Sequence, residues 1–142
     1  MRNYIINVVK KLIKKHAALS PAELAKALNI TVIYQPLGDV WGMYKYKKKT
    51  RIIFINSSLP EIIRIFVLAH EIGHAVLHTK STCYCHRFNI DEYKIEKEAN
   101  IFAAELLLNR LDYDLLKEYT SVQVAAIYNV PEDLLKIKLQ AS

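Results

Sequence analysis

The segment VLAHEIGHAVLH, Val67 to His78, sets three histidines and a glutamate in an otherwise apolar run. His70, Glu71 and His74 make the pattern HExxH. Residues four apart on a helix lie one above the other on the same face. His70 and His74 can therefore present two imidazole nitrogens to one zinc ion, at zinc–nitrogen distances of about 2.0–2.1 Å. Glu71 falls about 100° further round the helix, beside such an ion rather than on it, where a carboxylate can take a proton from water bound to the metal. Gly73 leaves room next to the pair. The flanks from Phe66 to Leu77 are apolar nearly all round, which predicts a buried helix. Polar groups buried without partners are costly, and a cation would compensate them. The competing reading, two core histidines satisfied by backbone carbonyls and an exposed Glu71, fits those flanks poorly.

A hydrolytic zinc site commonly has three protein ligands and one open position. The segment IEKEANIFAAELLLN, residues 95–109, offers the third. Glu96 lies 22 residues after His74 (96 − 74), enough for a loop and a returning helix. Glu96, Asn100, Ala103 and Leu107 share one helical stripe that is small and apolar below the carboxylate, as close helix packing demands. Glu98 shares its stripe with Ile101, Phe102 and Glu105, so Glu96 is preferred as ligand and Glu98 is the alternative. Asn100, one turn from Glu96, is placed to hydrogen-bond the far nitrogen of a ligand histidine and fix its tautomer. His78, one turn beyond His74, has three open roles: a fourth ligand, an outer or transition-state donor, or a histidine favoured by the helix C-terminal dipole. The oxyanion donor is open among His78, Tyr44, Tyr46 and other tyrosines. Cys83, Cys85 and His86 raise a second zinc site, but CxC is not the usual CxxC spacing, so they read as surface loop residues.

These residues need elements to hold them. Ile5, Val8, Val9, Leu12 and Ile13 recur at helical spacing over residues 3–19, and Ser20-Pro21 with Glu23 opens a second short helix to about Leu28. ITVIYQ (30–35), VWGMYKY (40–46) and RIIFIN (51–56) read as strands, the last two a hairpin across KKKT. Pro60 opens a long helix to about His78; residues 79–91 read as loop, and a second long helix runs from near Asp91 to about Asn109. Two short helices follow within 121–139. The fold class is α+β, a small antiparallel sheet packed on the HExxH helix and a following glutamate helix. The 142 residues fit one domain, with a core over 20–110 and a helical segment over 111–142.

Composition narrows the partners. Hydrophobic residues are 52% and charged residues 24%, a globular rather than disordered profile. Two adjacent-but-one cysteines are a poor disulfide framework and suggest a reducing compartment. Lysines at 10, 11, 14 and 15 break any signal-peptide core, and no apolar run reaches the ~18 residues of a membrane span; a cytoplasmic protein without a membrane partner is expected. The net charge of +6 is concentrated in KKLIKK and KYKKKTR. These read as a solvated helix face and an exposed strand or turn, with a phosphate-binding patch as the alternative.

HEIGHAVLH followed by EKEANIFAAELLL resembles the ImmA/IrrE family of small intracellular metallopeptidases, zincin-like in fold. GDVWGMYKYKKKTRIIFINSSLP resembles the family's strand pair before the active-site helix, so the likeness covers roughly residues 30 to 110. It implies that His70, His74 and Glu96 hold zinc and that Glu71 is the catalytic base. It also implies a substrate, a helix-turn-helix repressor of mobile-element or stress genes. The chain departs from the family at Leu108-Asn109, where Met-Pro is common.

Three functions compete. The first is a zinc endopeptidase acting on such a repressor. The second is a DNA-binding regulator built on 121–139, but its second helix opens with Pro131, Glu132 and Asp133, and carboxylates there would repel phosphates; direct nucleic-acid binding is not expected. The third is a metal-dependent anti-repressor that binds without cutting.

Overall fold

The computed structural model describes residues 2–17, 20–81, 83–85 (backbone only) and 94–140. In chain order the elements are α1 (Arg2–His16), α2 (Pro21–Ala27), β1 (Thr31–Gln35), β2 (Gly42–Lys47), β3 (Thr50–Asn56), α3 (Glu61–Leu77), β4 (Cys83–Cys85), α4 (Lys94–Leu107), α5 (Leu115–Glu118), α6 (Ser121–Ile127) and α7 (Glu132–Leu139). Residues 91–93, where the second long helix was expected to start, lie outside the described residues, as does His86.

The α+β class holds, but the sheet is mixed and, among the described residues, has four strands, in the order β1-β3-β2-β4. β2 and β3 form the expected antiparallel hairpin, while β1 joins β3 in parallel, Thr31 opposite Ile52 through Gln35 opposite Asn56. The reason is the path between β1 and β2. That connection arches over the end of β3, so β3 enters between its two predecessors. Asn56, 2% exposed, secures the arch. Its Nδ2 donates to the carbonyls of Gly38 and Val40, and its Oδ1 accepts from the Ser58 amide and hydroxyl. The fourth strand corrects the expected loop: Cys83–Cys85 pairs antiparallel with β2, Gly42 opposite Cys85 and Tyr44 opposite Cys83. The backbone groups on the outer edge of β2 need partners, and Cys83–Cys85 supplies them along Gly42 to Tyr44.

The hairpin turn carries strain. Lys48 and Lys49 have φ of 51° and 63°, the left-handed pair that a two-residue hairpin favours and that Asn-Gly supplies at least cost. Each ordinary residue there costs about 1–2 kcal/mol. Replacing Lys48-Lys49 with Asn-Gly should stabilise the fold by about 1–2 kcal/mol in urea unfolding; an unchanged midpoint would contradict this reading of the turn.

Period-two alternation in β3 buries Ile53 and Ile55 and leaves Ile52 and Phe54 half-buried. With Tyr44 of β2, the inward residues pack on Phe66, Val67, Ala69 and Ile72 of α3. On its other side α3 packs against α4, and α1 and α7 close over α4. Ile5 and Val9 of α1 are buried while Lys10, Lys11, Lys14 and Lys15 face solvent, so KKLIKK is a solvated helix face. Arg2 of α1 and Lys138 of α7 both pair with buried Glu105 of α4, at 3.7 and 2.7 Å. Among the described residues, no helix is long and apolar enough to cross a membrane.

Candidate metal centre

Helix α3 begins after Pro60 and is buried from Phe66 to Ala75. This is the burial its flanks demanded, and it takes His70, Glu71 and His74 inside with it, at 2%, 0% and 0% exposure. Glycine at position 73 sets how near α4 can come. A Cβ built there would lie 3.1 Å from the Cβ of Phe102 and 3.2 Å from the Cα of Ala99. The second of these is backbone, so a side chain would force the helices apart. Gly73→Ala should therefore destabilise the protein by about 1–3 kcal/mol, as overpacking does, and weaken metal retention; unchanged unfolding and metal affinity would show that the close approach is dispensable.

The close approach carries Glu96 and Asn100 onto the histidine pair. His70, His74 and Glu96 each offer one ligand atom, all within 4.8 Å of one another. His70 Nε2 lies 3.3 Å from Glu96 Oε1 and His74 Nε2 lies 2.7 Å from Glu96 Oε2. The second contact is close but lacks hydrogen-bond geometry. On the far side of its ring, His70 Nδ1–H donates to Asn100 Oδ1 at 2.8 Å, which turns Nε2 toward Glu96. Glu71 is the oddest group. Among the described residues neither of its carboxylate oxygens has a hydrogen-bond partner, though both are buried where that costs most. Two imidazole nitrogens and a carboxylate converging beside an orphaned carboxylate fit a divalent cation of the borderline kind that N and O donors hold.

Gly42 adds to this pocket. A Cβ there would come within 2.6 Å of Val67 Cγ1 and 3.3 Å of Glu71 Oε2. Bare backbone thus roofs Glu71. A glycine inside a strand is a signal of close approach, but nothing in the sequence says what approaches it.

Electrostatics follow from burial. Without a cation, the Glu71 carboxyl is pushed up to about 8, first by burial, with His70 opposing and the Glu96 charge adding. Burial draws His74 down to about 4 against the close approach and charge of Glu96. His70 rises: burial lowers it, but its Glu96 hydrogen bond, the charges of Glu71 and Glu96, and Asn100 outweigh that. Glu96 falls to about 2 despite its burial, through the close approach and charge of both histidines. A proton held by folded Glu71 but released on unfolding makes metal-free stability decline as pH climbs from 4.5 toward 8. His74 acts oppositely between about 4 and 6.5, where the unfolded chain binds the extra proton. Raised His70 reinforces Glu71 above 6.5. The metal-free melting temperature should therefore fall between pH 6.5 and 8, and Glu71→Gln should make that slope shallower. A flat wild-type profile would refute the assignment.

The other expected residues fall as follows. Glu98 is not with the ligands; its Oε1 lies 2.7 Å from His78 Nε2, and His78 Nδ1 lies 2.9 Å from His74 Nδ1. The Tyr44 hydroxyl donates to the Thr79 carbonyl, so this candidate oxyanion donor is engaged in holding the end of α3. The side chains of Cys83 and Cys85 lie outside the described residues, as does His86.

A buried HExxH helix, a glutamate from the next long helix and a small sheet alongside define the zincin-like class. Residues 25–140 match the model of the Peptidase_M78 family, the IrrE N-terminal-like domain. The chain is 39% identical over 137 residues to "Uncharacterized immunity region protein 2" of Bacillus phage phi105, covering 92% of this chain and 85% of that protein. It is 31% identical over 143 residues to "Metallopeptidase ImmA" of Bacillus subtilis (strain 168), covering 92% and 81%. The chain belongs to the ImmA/IrrE family of metallopeptidases.

Proposed function

We propose that the chain is a zinc-dependent endopeptidase, working as one domain, that cuts a helix-turn-helix repressor. The observation carrying this reading is the convergence of three ligand atoms within 4.8 Å beside a fully buried, unpartnered Glu71. His70, His74 and Glu96 would hold the zinc. Bound there, it would supply Lewis-acid polarisation of a water and of the scissile carbonyl. Glu71 takes the proton from the attacking water and passes it to the leaving amine, and the apolar walls of α3 and the β2 backbone over Gly42 keep bulk water from the carboxylate. Asn100 holds the ring of His70. The names of the relatives, one from a phage immunity region and one a metallopeptidase, support a regulatory protein as substrate.

The DNA-binding alternative is disfavoured by α7. Its first turn holds Glu132 and Asp133, and Glu132 accepts from the Ser121 hydroxyl at 2.5 Å while approaching Lys136 at 3.9 Å. Both carboxylates complement the helix dipole. Intact-mass analysis after incubating the zinc-loaded protein with helix-turn-helix repressors from the same genome tests the proposal. Two fragments summing to one repressor plus water are expected. A repressor that binds the loaded protein yet stays whole would replace the peptidase by a non-cutting anti-repressor.

A further inference from the structure

The C-terminal end of α3 carries a second set of polar groups that the ligand set does not use. His78 stands at the C-cap of α3, and its side chain is 10% exposed. Its ring is held from both sides, by His74 Nδ1 at 2.9 Å and by Glu98 Oε1 at 2.7 Å. The turn bearing it is fixed in turn: the Thr79 hydroxyl donates to the Ala75 carbonyl, and Tyr44 of β2 donates to the Thr79 carbonyl. These directed contacts distinguish His78 from a histidine that merely favours a helix end.

We infer that Glu98 and His78 are positioning residues that select the tautomer of His74, and through it the nitrogen offered to the metal. The inference rests on the metal centre proposed above. An ionised carboxylate only accepts hydrogen bonds, so His78 Nε2 carries its hydrogen toward Glu98. With its ring anchored to Glu98 through Nε2–H, His78 turns Nδ1 toward His74, 2.9 Å away, where it accepts from His74 Nδ1–H. That places the hydrogen of His74 on Nδ1 and leaves Nε2 bare. The choice matters because His74 has a rival acceptor: Glu96 Oε2 lies 2.7 Å from Nε2. With its hydrogen on Nε2, His74 would donate to Glu96, and that hydrogen would occupy the space where both groups must direct lone pairs at an ion. The contact to Glu96 lacks hydrogen-bond geometry, consistent with the Nδ1–H form. Glu96 and Glu98, two residues apart on α4, thus divide the work: one faces the ion position and the other orients its ligand from behind.

The test reads the tautomer directly. Two-bond ¹⁵N–¹H correlation of the imidazoles in the metal-free full chain, above neutral pH, should show His74 as Nδ1–H in wild type. It should show a mixed or Nε2–H population in Glu98→Ala and in His78→Phe. Zinc affinity, measured by chelator competition, should fall about 10-fold in both variants, the lower end for loss of a partner behind a ligand histidine. Glu98→Gln retains an oxygen acceptor and should restore the Nδ1–H form and most of the affinity, which separates orientation from a general loss of packing. Should His78→Phe not fold, the two Glu98 variants decide alone. His74 remaining Nδ1–H with unchanged zinc affinity in folded Glu98→Ala would overturn the inference. If wild type bound no zinc at all, the metal centre would fail, while the tautomer spectra would still rule on the chain from Glu98 to His74.

Discussion

Replacing Glu71 with glutamine should leave the fold and metal content intact and lower peptide hydrolysis by about 10²–10⁴-fold, the range that a positioned general base supplies. The structure makes this variant cleaner than most. Glu71 has no hydrogen-bond partner among the described residues, so the amide breaks no bond. The shape is nearly unchanged, which matters because the Gly42 backbone closes over Oε2 and would feel any added bulk. The carboxylate stands beside the His70, His74 and Glu96 cluster and is not one of its members, so zinc should remain bound. Turnover by the variant at the wild-type rate, with zinc shown to be present, would remove Glu71 from the chemistry. Loss of zinc would make it a ligand instead. Substrate trapping is a natural corollary, since the variant should still hold an uncut repressor.

The second large effect concerns Glu96. Glu96→Ala should abolish stoichiometric zinc binding and with it the stabilisation that zinc confers. A ligand present at a thousand times its dissociation constant stabilises by about 4 kcal/mol, which for a chain of this size is a rise of upwards of about 10 °C in melting temperature. Wild type should show that rise on zinc addition and lose it on chelation; Glu96→Ala should show neither. Its metal-free form pays twice, since His70 and His74 both lose the carboxylate that now faces them at 3.3 and 2.7 Å. Glu98→Ala is the comparison: Glu98 contacts His78 rather than the ligand cluster, so this variant should still bind zinc, at about 10-fold lower affinity. If Glu98→Ala lost zinc altogether while Glu96→Ala kept it, the ligand assignment would have to be exchanged between them.

Much of this is legible in the amino-acid sequence. A burial pattern apolar all round α3 left HExxH no cheap explanation other than a cation, and the stripe of Glu96, Asn100 and Ala103 separated the inward glutamate from Glu98. Helix caps were also readable. Ser20 accepts from the Glu23 amide at 3.1 Å, as Ser-Pro with a following glutamate implies. What escaped has physical reasons. Period-two alternation gives a strand its faces but not its direction, so β1 could not be seen to run parallel to β3. The order depends on an arch held by Asn56 from the far end of the sheet. The strand at Cys83–Cys85 is recruited by backbone groups of β2, which no side-chain pattern reports. The role of Glu98 depends on where a helix cap points His78. That is a contact between elements twenty residues apart, decided by packing rather than by spacing.

The central claim is that one metal ion sits between α3 and α4. It is tested most directly by crystals of the zinc-loaded protein, with an anomalous difference map recorded at the zinc edge. A single peak bonded to His70 Nε2, His74 Nε2 and a Glu96 carboxylate oxygen, with Glu71 outside bonding distance, is the expected result. No peak at that position, or a zinc held instead by Glu98 or by Cys83 and Cys85, would contradict it.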